Sequence, residues 1–176
     1  MSLKELTKDN HARAESTAFM RAVFKSTLPP ELWTDFTGKK CFVYDAIETV
    51  ARDAGLLAGL AGIERADLLM ADYAEMTHSA LLLDPVTNEY VNYIINLQKD
   101  PARIMAHLYT WHMGDLFGGQ MIKRMIPAPH RALDFENPAE LIAAMRGMLD
   151  DSMAEEANTA FGWAIKLLES YDSSLE

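Results

Sequence analysis

Lys4, Lys8, His11 and Glu15 fall at offsets of 0, 4, 7 and 11 in the first helix-forming stretch, so all four share one helix face. A neutral imidazole there can act as an axial ligand to haem iron. A carboxylate one turn further on can hold the ring's second nitrogen and fix its tautomer. Two ammonium groups nearer the helix start suit the propionates of such a ligand, and Ala14 and Ala18 let a flat molecule come close. The same spacing equally describes the solvated face of an amphipathic helix, with Glu15 offsetting neighbouring positive charge.

A second constellation is the run Tyr109-Thr110-Trp111-His112-Met113-Gly114-Asp115-Leu116-Phe117-Gly118-Gly119-Gln120, inside a helix that begins at Pro101. Each of its three glycines costs about 1 kcal/mol relative to alanine in a helix interior, roughly 3 kcal/mol in all. Gly114 and Gly118 lie one turn apart, so on that face the backbone can approach a partner closely, or the helix can kink. Asp115 sits beside this bare face. Small-residue packing of one helix on another, with Asp115 at the surface, accounts for the pattern as well as a ligand cleft does. A phosphate-binding glycine loop does not, because no strand precedes the glycines.

Other groups point less to chemistry. Trp33, Trp163, Phe161 and the eleven methionines read as core filler, since flexible thioethers fill irregular gaps between helices. His78, His107, His112 and His130 lack zinc-ligand spacing and read as structural or exposed. Cys41 is the one cysteine, which excludes a disulfide framework and a thiolate-held cluster and favours a reducing compartment. The net charge of -10, from 26 acidic and 16 basic residues, is the wrong sign for wrapping a phosphate backbone, so no nucleic-acid partner is expected. No run approaches the ~18 consecutive apolar residues of a membrane span, and the opening MSLKELTKDNHARAE has no apolar core like that of a signal peptide. No membrane partner and a cytoplasmic location are the expectations.

The elements that must position these residues are helical. In 176 residues one domain can bury a sizeable core. Ser2 with Glu5 forms a capping box that opens the first helix at about Leu3, and Pro29-Pro30 close it. A second helix runs from Glu31 to about Ala54 and ends at Gly55, and a third covers about Arg65 to Met76. Asp84-Pro85, Asp100-Pro101 and Asn137-Pro138 each place a capping side chain before a proline at the first helical position. Tyr90, Tyr93, Ile94 and Leu97 form an apolar stripe, and Ser152 with Glu155 opens a last helix that reaches about Ser170. Ala80 to Leu83 is ambiguous, and nothing alternates with period two for long. The expected fold is all-α, a single compact domain over residues 1–176 with about seven helices.

Together the two constellations resemble the haem oxygenase family. LKELTKDNHARAESTAFM is similar to that family's proximal helix with its H-x-x-A-E histidine, YTWHMGDLFGGQMIKRM to its kinked distal helix around GDLxGGQ, and EEANTAF at Glu155 to Phe161 to its last core helix. The resemblance implies that haem is sandwiched between the first helix and the glycine-rich one, with His11 as iron ligand supported by Glu15. It implies that Gly114 and Gly118 press the distal backbone onto the haem face while Asp115 organises distal water. Lys4, Lys8 and Arg146 would lie near the propionates, Tyr109 and Phe161 would line the pocket, and Tyr44 would join the polar network. The departures are Trp111, where the family's YTRYLGD run carries a basic residue, Phe117 in place of serine after GDL, and a shorter chain through Gly55 to Ala66.

The implied activity is oxidative cleavage of haem, at once substrate and cofactor, to biliverdin, carbon monoxide and ferrous iron. It uses O2 and electrons from a ferredoxin-like donor and feeds bilin pigment synthesis. Docking an acidic donor needs a basic patch, for which Lys39-Lys40 and Lys123-Arg124 are candidates beside Lys4 and Lys8. Two rivals stand beside this reading: a haem carrier without catalysis, and a non-haem metal oxidase using His11 and Glu15, for which no second ligand set is evident.

Overall fold

The computed structural model describes all residues, Met1–Glu176, and contains helices and no strands. Nine α-helices follow in chain order: α1 (Leu3–Glu15), α2 (Ala18–Phe24), α3 (Pro30–Asp53), α4 (Ala66–Met76), α5 (Pro85–Ile95), α6 (Pro101–Leu108), α7 (Gly114–Met125), α8 (Pro138–Met148) and α9 (Ala154–Glu169). None is long and apolar enough to cross a membrane.

Two local events raise the number above the expected seven. The first helix stops at Ser16, where Thr17 caps a new one by accepting the Met20 amide at 3.3 Å. The distal helix is divided by a π-helical segment, Tyr109–Met113, that joins α6 to α7 without a loop. Such a segment inserts an extra residue into the turn and rotates everything after it relative to what came before. It lies immediately before Gly114.

The capping chemistry holds at most starts. Ser2 and Glu5 make the reciprocal box, and Asp84 and Asp100 accept the amides of Thr87 and Arg103 at 3.1 and 3.2 Å. Asn137 does not cap α8; its amide instead donates to the Ala61 carbonyl at 3.3 Å, tying α8 to the turn at Gly62. Ser152 does not cap α9 either. Asp150 accepts the Ser152 amide at 2.8 Å and starts a short 3-10 turn, after which α9 begins at Ala154.

The 24-residue α3 is the central pillar. Its Val43, Ile47 and Ala51 are fully buried, and α4, α5 and α6 pack around it. α1 lies on α9, held by Asn158, which accepts from the Asn10 amide at 2.9 Å and donates to the Leu6 carbonyl at 3.1 Å. The α1/α9 pair forms one side on which the candidate residues sit, and α7, reached by the side chains of Lys40 and Tyr44 from α3, forms the other.

Candidate functional site

On the α1 side, His11 is exposed, and its Nε2 lies 3.7 Å from Glu15 Oε1. Its ring meets the edge of Phe161 from α9, with centroids 5.8 Å apart and planes at 88°. This contact orients the imidazole without covering it. Lys4 and Lys8 are exposed on the same helix and make no ion pair. Thr7, buried on the adjacent face, lies 3.3 Å from the Tyr109 hydroxyl, and this hydrogen bond joins α1 to the π segment.

On the α7 side the three glycines part company. A Cβ added at Gly114 or at Gly118 would meet nothing within 4 Å, whereas one at Gly119 would stand 3.1 Å from Leu133 Cδ2. Gly119 is therefore the packing glycine. Gly114 and Gly118 border open space, which disagrees with small-residue helix packing and agrees with a cleft. Phe117 and Met121 on the same helix are also exposed, and the Arg146 guanidinium from α8 lies 5.6 Å from the Phe117 ring centroid.

Asp115 is not at the surface; it is buried between α7 and α3. Lys40 Nζ donates to both carboxylate oxygens, at 3.2 and 3.1 Å, and the Tyr44 hydroxyl donates to Oδ2 at 2.6 Å. Burial first, and then the Asp115 charge, push the Tyr44 phenol well above its usual value, so it stays protonated and remains a donor. The Trp111 carbonyl lies 3.1 Å from the same hydroxyl, whose one hydrogen goes to the nearer carboxylate, so the π segment stands beside this network.

Behind this triad, His112 stacks on Tyr44 with centroids 4.3 Å apart, and its Nε2 lies 2.9 Å from Glu48 Oε1. His112 Nδ1 is buried and has no partner. Glu48 takes a second role as the cap of α4, which lacks one of its own: its carboxylate accepts the amides of Arg65 at 2.5 Å and Ala66 at 3.1 Å. The Trp111 indole donates to the Tyr90 hydroxyl at 2.9 Å, so the one Tyr90 hydrogen must go to His107 Nδ1, 2.7 Å away. His107 Nε2 then faces Glu156 at 2.9 Å, where Tyr93 and Arg103 also donate. The structural role expected for His107 and His112 is what the structure shows.

The structure thus brings together His11, Glu15 and Phe161 on one side, and Gly114, Gly118, Asp115 and Tyr44 on the other, with Tyr109 between them. It corrects the expectation for Lys39 and Lys40 as a docking patch, since both are buried. Lys39 Nζ binds Ser170 at 3.0 Å and lies over the Tyr171 ring, and Lys40 belongs to Asp115. Lys123 is paired with Asp134 and only partly buried, and Arg124 is exposed. Lys40 and Glu48 were the residues missed. Their signal was present, because Lys40, Tyr44 and Glu48 recur every four residues along one face of a helix that also carries the apolar Cys41, Val43 and Ile47. No group of three or more His, Cys, Asp or Glu side chains is placed to hold a metal ion, so the non-haem oxidase reading finds no ligand set.

Residues 1–147 match the family model described as heme oxygenase. Heme oxygenase 2 of Rattus norvegicus is 28% identical over 98% of this chain and 65% of its own length, and heme oxygenase 1 of Nostoc sp. is 24% identical over 96% and 84%. The chain spans just under two-thirds of the rat protein. Among solved structures, heme oxygenase-1 from the cyanobacterium Synechocystis sp. in complex with heme superimposes with a TM-score of 0.85 at 23% identity, covering 98% of this chain and 91% of that one.

Proposed function

Because this chain belongs to the haem oxygenase family, we propose that it binds haem between α1 and α7 and cleaves it oxidatively to biliverdin, carbon monoxide and ferrous iron. The observation that carries this reading is the open space over Gly114 and Gly118, immediately beside a carboxylate that the fold has buried and pinned. Bare glycines at an unpacked face cost helix stability and return nothing to the ligand-free fold. They make sense as the floor of a site for a flat molecule.

The donor set fits haem. His11 offers an accessible imidazole nitrogen, with Glu15 on the same face to polarise the ring, and Phe161 limits its rotation. Lys4, Lys8 and Arg146 supply exposed cations for the two propionates, while Tyr109 and Phe161 add walls. Bound haem supplies the iron that activates O2 and the porphyrin that is oxidised. The protein supplies position and electrostatics. The Asp115 carboxylate can only accept hydrogen bonds, so a water on it points one hydrogen at Asp115 and leaves the other to donate into the cleft. Electrons come from a ferredoxin-like donor, the product feeds bilin synthesis, and the reaction takes place in the cytoplasm.

The test is to mix the protein with hemin, add a reducing system in air, and record the visible spectrum. Replacement of haem absorbance by a bilin band is the expected result. A persistent haem spectrum under turnover conditions would identify a carrier instead.

A further inference from the structure

The Lys40 ammonium is the one cation in contact with Asp115, and it reaches that carboxylate from α3, not from the helix that carries the acid. We propose that Lys40 is a positioning residue for haem cleavage: its charge keeps Asp115 ionised and turned so that Oδ1 can hold the water described above. This rests on the role given to Asp115 under the proposed function.

Three observations support it. Lys40 is buried to the same degree as its partner, with side-chain exposures of 8% and 10%. A lysine is rarely left in such a place without a specific counter-charge. Its ammonium also lies over two aromatic rings, 5.0 Å from the Tyr44 centroid and 6.0 Å from that of Phe36. The second observation is the division of labour between the two oxygens. Oδ2 accepts from Lys40 and from Tyr44, whereas Oδ1 accepts from Lys40 alone and keeps a free lone pair. The third is that no cation of the distal helix reaches Asp115: Lys123 and Arg124 lie in its last turn, and Lys123 is paired with Asp134. The position where the resembling motif carries a basic residue is Trp111, and its indole is spent on the Tyr90 hydroxyl. Lys40 therefore supplies from α3 the positive charge that this stretch lacks.

The consequence is chemical and not only structural. A buried carboxylate without a positive neighbour tends to protonate, and a protonated Asp115 would donate to the water instead of accepting from it. The water would then turn its oxygen toward Asp115, and its hydrogens would no longer be directed by the carboxylate.

Infrared difference spectroscopy on the ligand-free protein reads this directly. Lys40→Met, titrated from pH 8 to pH 5, should develop a protonated-carboxyl band that the wild type lacks and that disappears in the Lys40→Met/Asp115→Asn double variant. Lys40→Gln keeps a donor on Asp115 without the charge and should show the same band, while Lys40→Arg should not. In the haem-loaded protein, bilin formation by Lys40→Met should fall more steeply than in the wild type as pH is lowered from 8 to 5, in step with the growth of the band. Arg should restore the wild-type profile. A purely structural lysine would lower thermal stability and turnover alike at every pH, with no such band.

Absence of the band in both Lys40→Met and Lys40→Gln overturns the proposal, whatever turnover does. Wild-type bilin formation by Asp115→Ala would be a different failure. It would remove the role of Asp115 in the reaction, and with it that of Lys40, while the band would still report the ion pair.

Discussion

Gly118→Ala should make the ligand-free protein more stable and the haem-binding protein worse. Gly118 is the fifth residue of α7, and an added Cβ would meet no atom within 4 Å. Nothing opposes the gain in helix propensity, which is about 1 kcal/mol for alanine over glycine. For a domain of this size that raises the melting temperature by about 2–4 °C. The methyl, however, then stands in the cleft. Inserting a methyl into a close-fitting surface costs about 1–3 kcal/mol, so hemin affinity should fall about 5- to 150-fold. Gly119→Ala is the internal control. Its Cβ would stand 3.1 Å from Leu133 Cδ2 and 3.5 Å from Leu133 Cβ, so the leucine must yield and most of the propensity gain is offset. Its hemin affinity should be unchanged. Differential scanning fluorimetry and an absorbance titration with hemin measure both quantities. If Gly118→Ala lowers the melting temperature, the face is packed after all; if it keeps wild-type affinity, haem does not lie on that face.

His11→Ala should cost little stability, because the side chain is 58% exposed, yet lose the nitrogen-ligated haem spectrum, with added imidazole restoring part of it. A wild-type spectrum in that variant would move the ligand elsewhere. Acid should weaken the fold in two steps, both around Glu156. Burial lowers the His107 pKa against the pull of Glu156, so the fold holds the ring neutral and loses stability as pH drops below the ordinary 6.5. Burial works against ionisation of Glu156, but hydrogen bonds from His107, Tyr93 and Arg103 outweigh it and hold the carboxyl at about 2. Its contribution is present above the ordinary 4.5 and lost as pH falls toward 2. Melting temperature against pH should therefore decline from about 6.5 and steepen below 4.5. Glu156→Gln should abolish the steeper part, and a profile identical to wild type would refute the assignment. With Lys39 and Lys40 buried, the docking patch reduces to Lys123 and Arg124. Reversing both to Glu should slow turnover driven by a protein donor more than turnover driven by a small reductant, and equal slowing would dismiss the patch.

The helix boundaries that could be read in the sequence were those carrying their own chemistry: the Ser2/Glu5 box, Asp84-Pro85, Asp100-Pro101, and Gly55, whose φ of 74° is a conformation that favours glycine. Boundaries set by other segments could not be read in this way. Glu48 caps α4 from 17 residues upstream, and Asn137, which has the right side chain for a cap, is drawn off to Ala61. The π segment is only faintly marked: Tyr, Thr, Trp and His are weaker helix formers and glycines follow, which allows a kink without specifying its form. What holds it is tertiary: the Trp111 indole donates to Tyr90, and the Tyr109 hydroxyl is hydrogen-bonded to Thr7 of α1.

The same division runs through the site. Type and spacing placed His11 with Glu15, and Gly114 with Gly118 and Asp115, because each group lies within two turns of one helix. The identity of Asp115's partners depended on which face of α3 meets α7, a long-range packing outcome. Two adjacent lysines look like a basic surface in one dimension. In three dimensions the period of four from Lys40 through Tyr44 to Glu48 is the relevant pattern, and it turns a charged row inward beside Val43 and Ile47. Buried charge on an otherwise apolar pillar is costly unless each member finds a counterpart. Each does so here: Lys40 on Asp115, Tyr44 on Asp115, and Glu48 on His112 and the start of α4. This polar row meets the distal helix where the π segment gives way to the glycines. Asp115, which adjoins the bare glycines in sequence, is consequently held from the core by Lys40 and Tyr44.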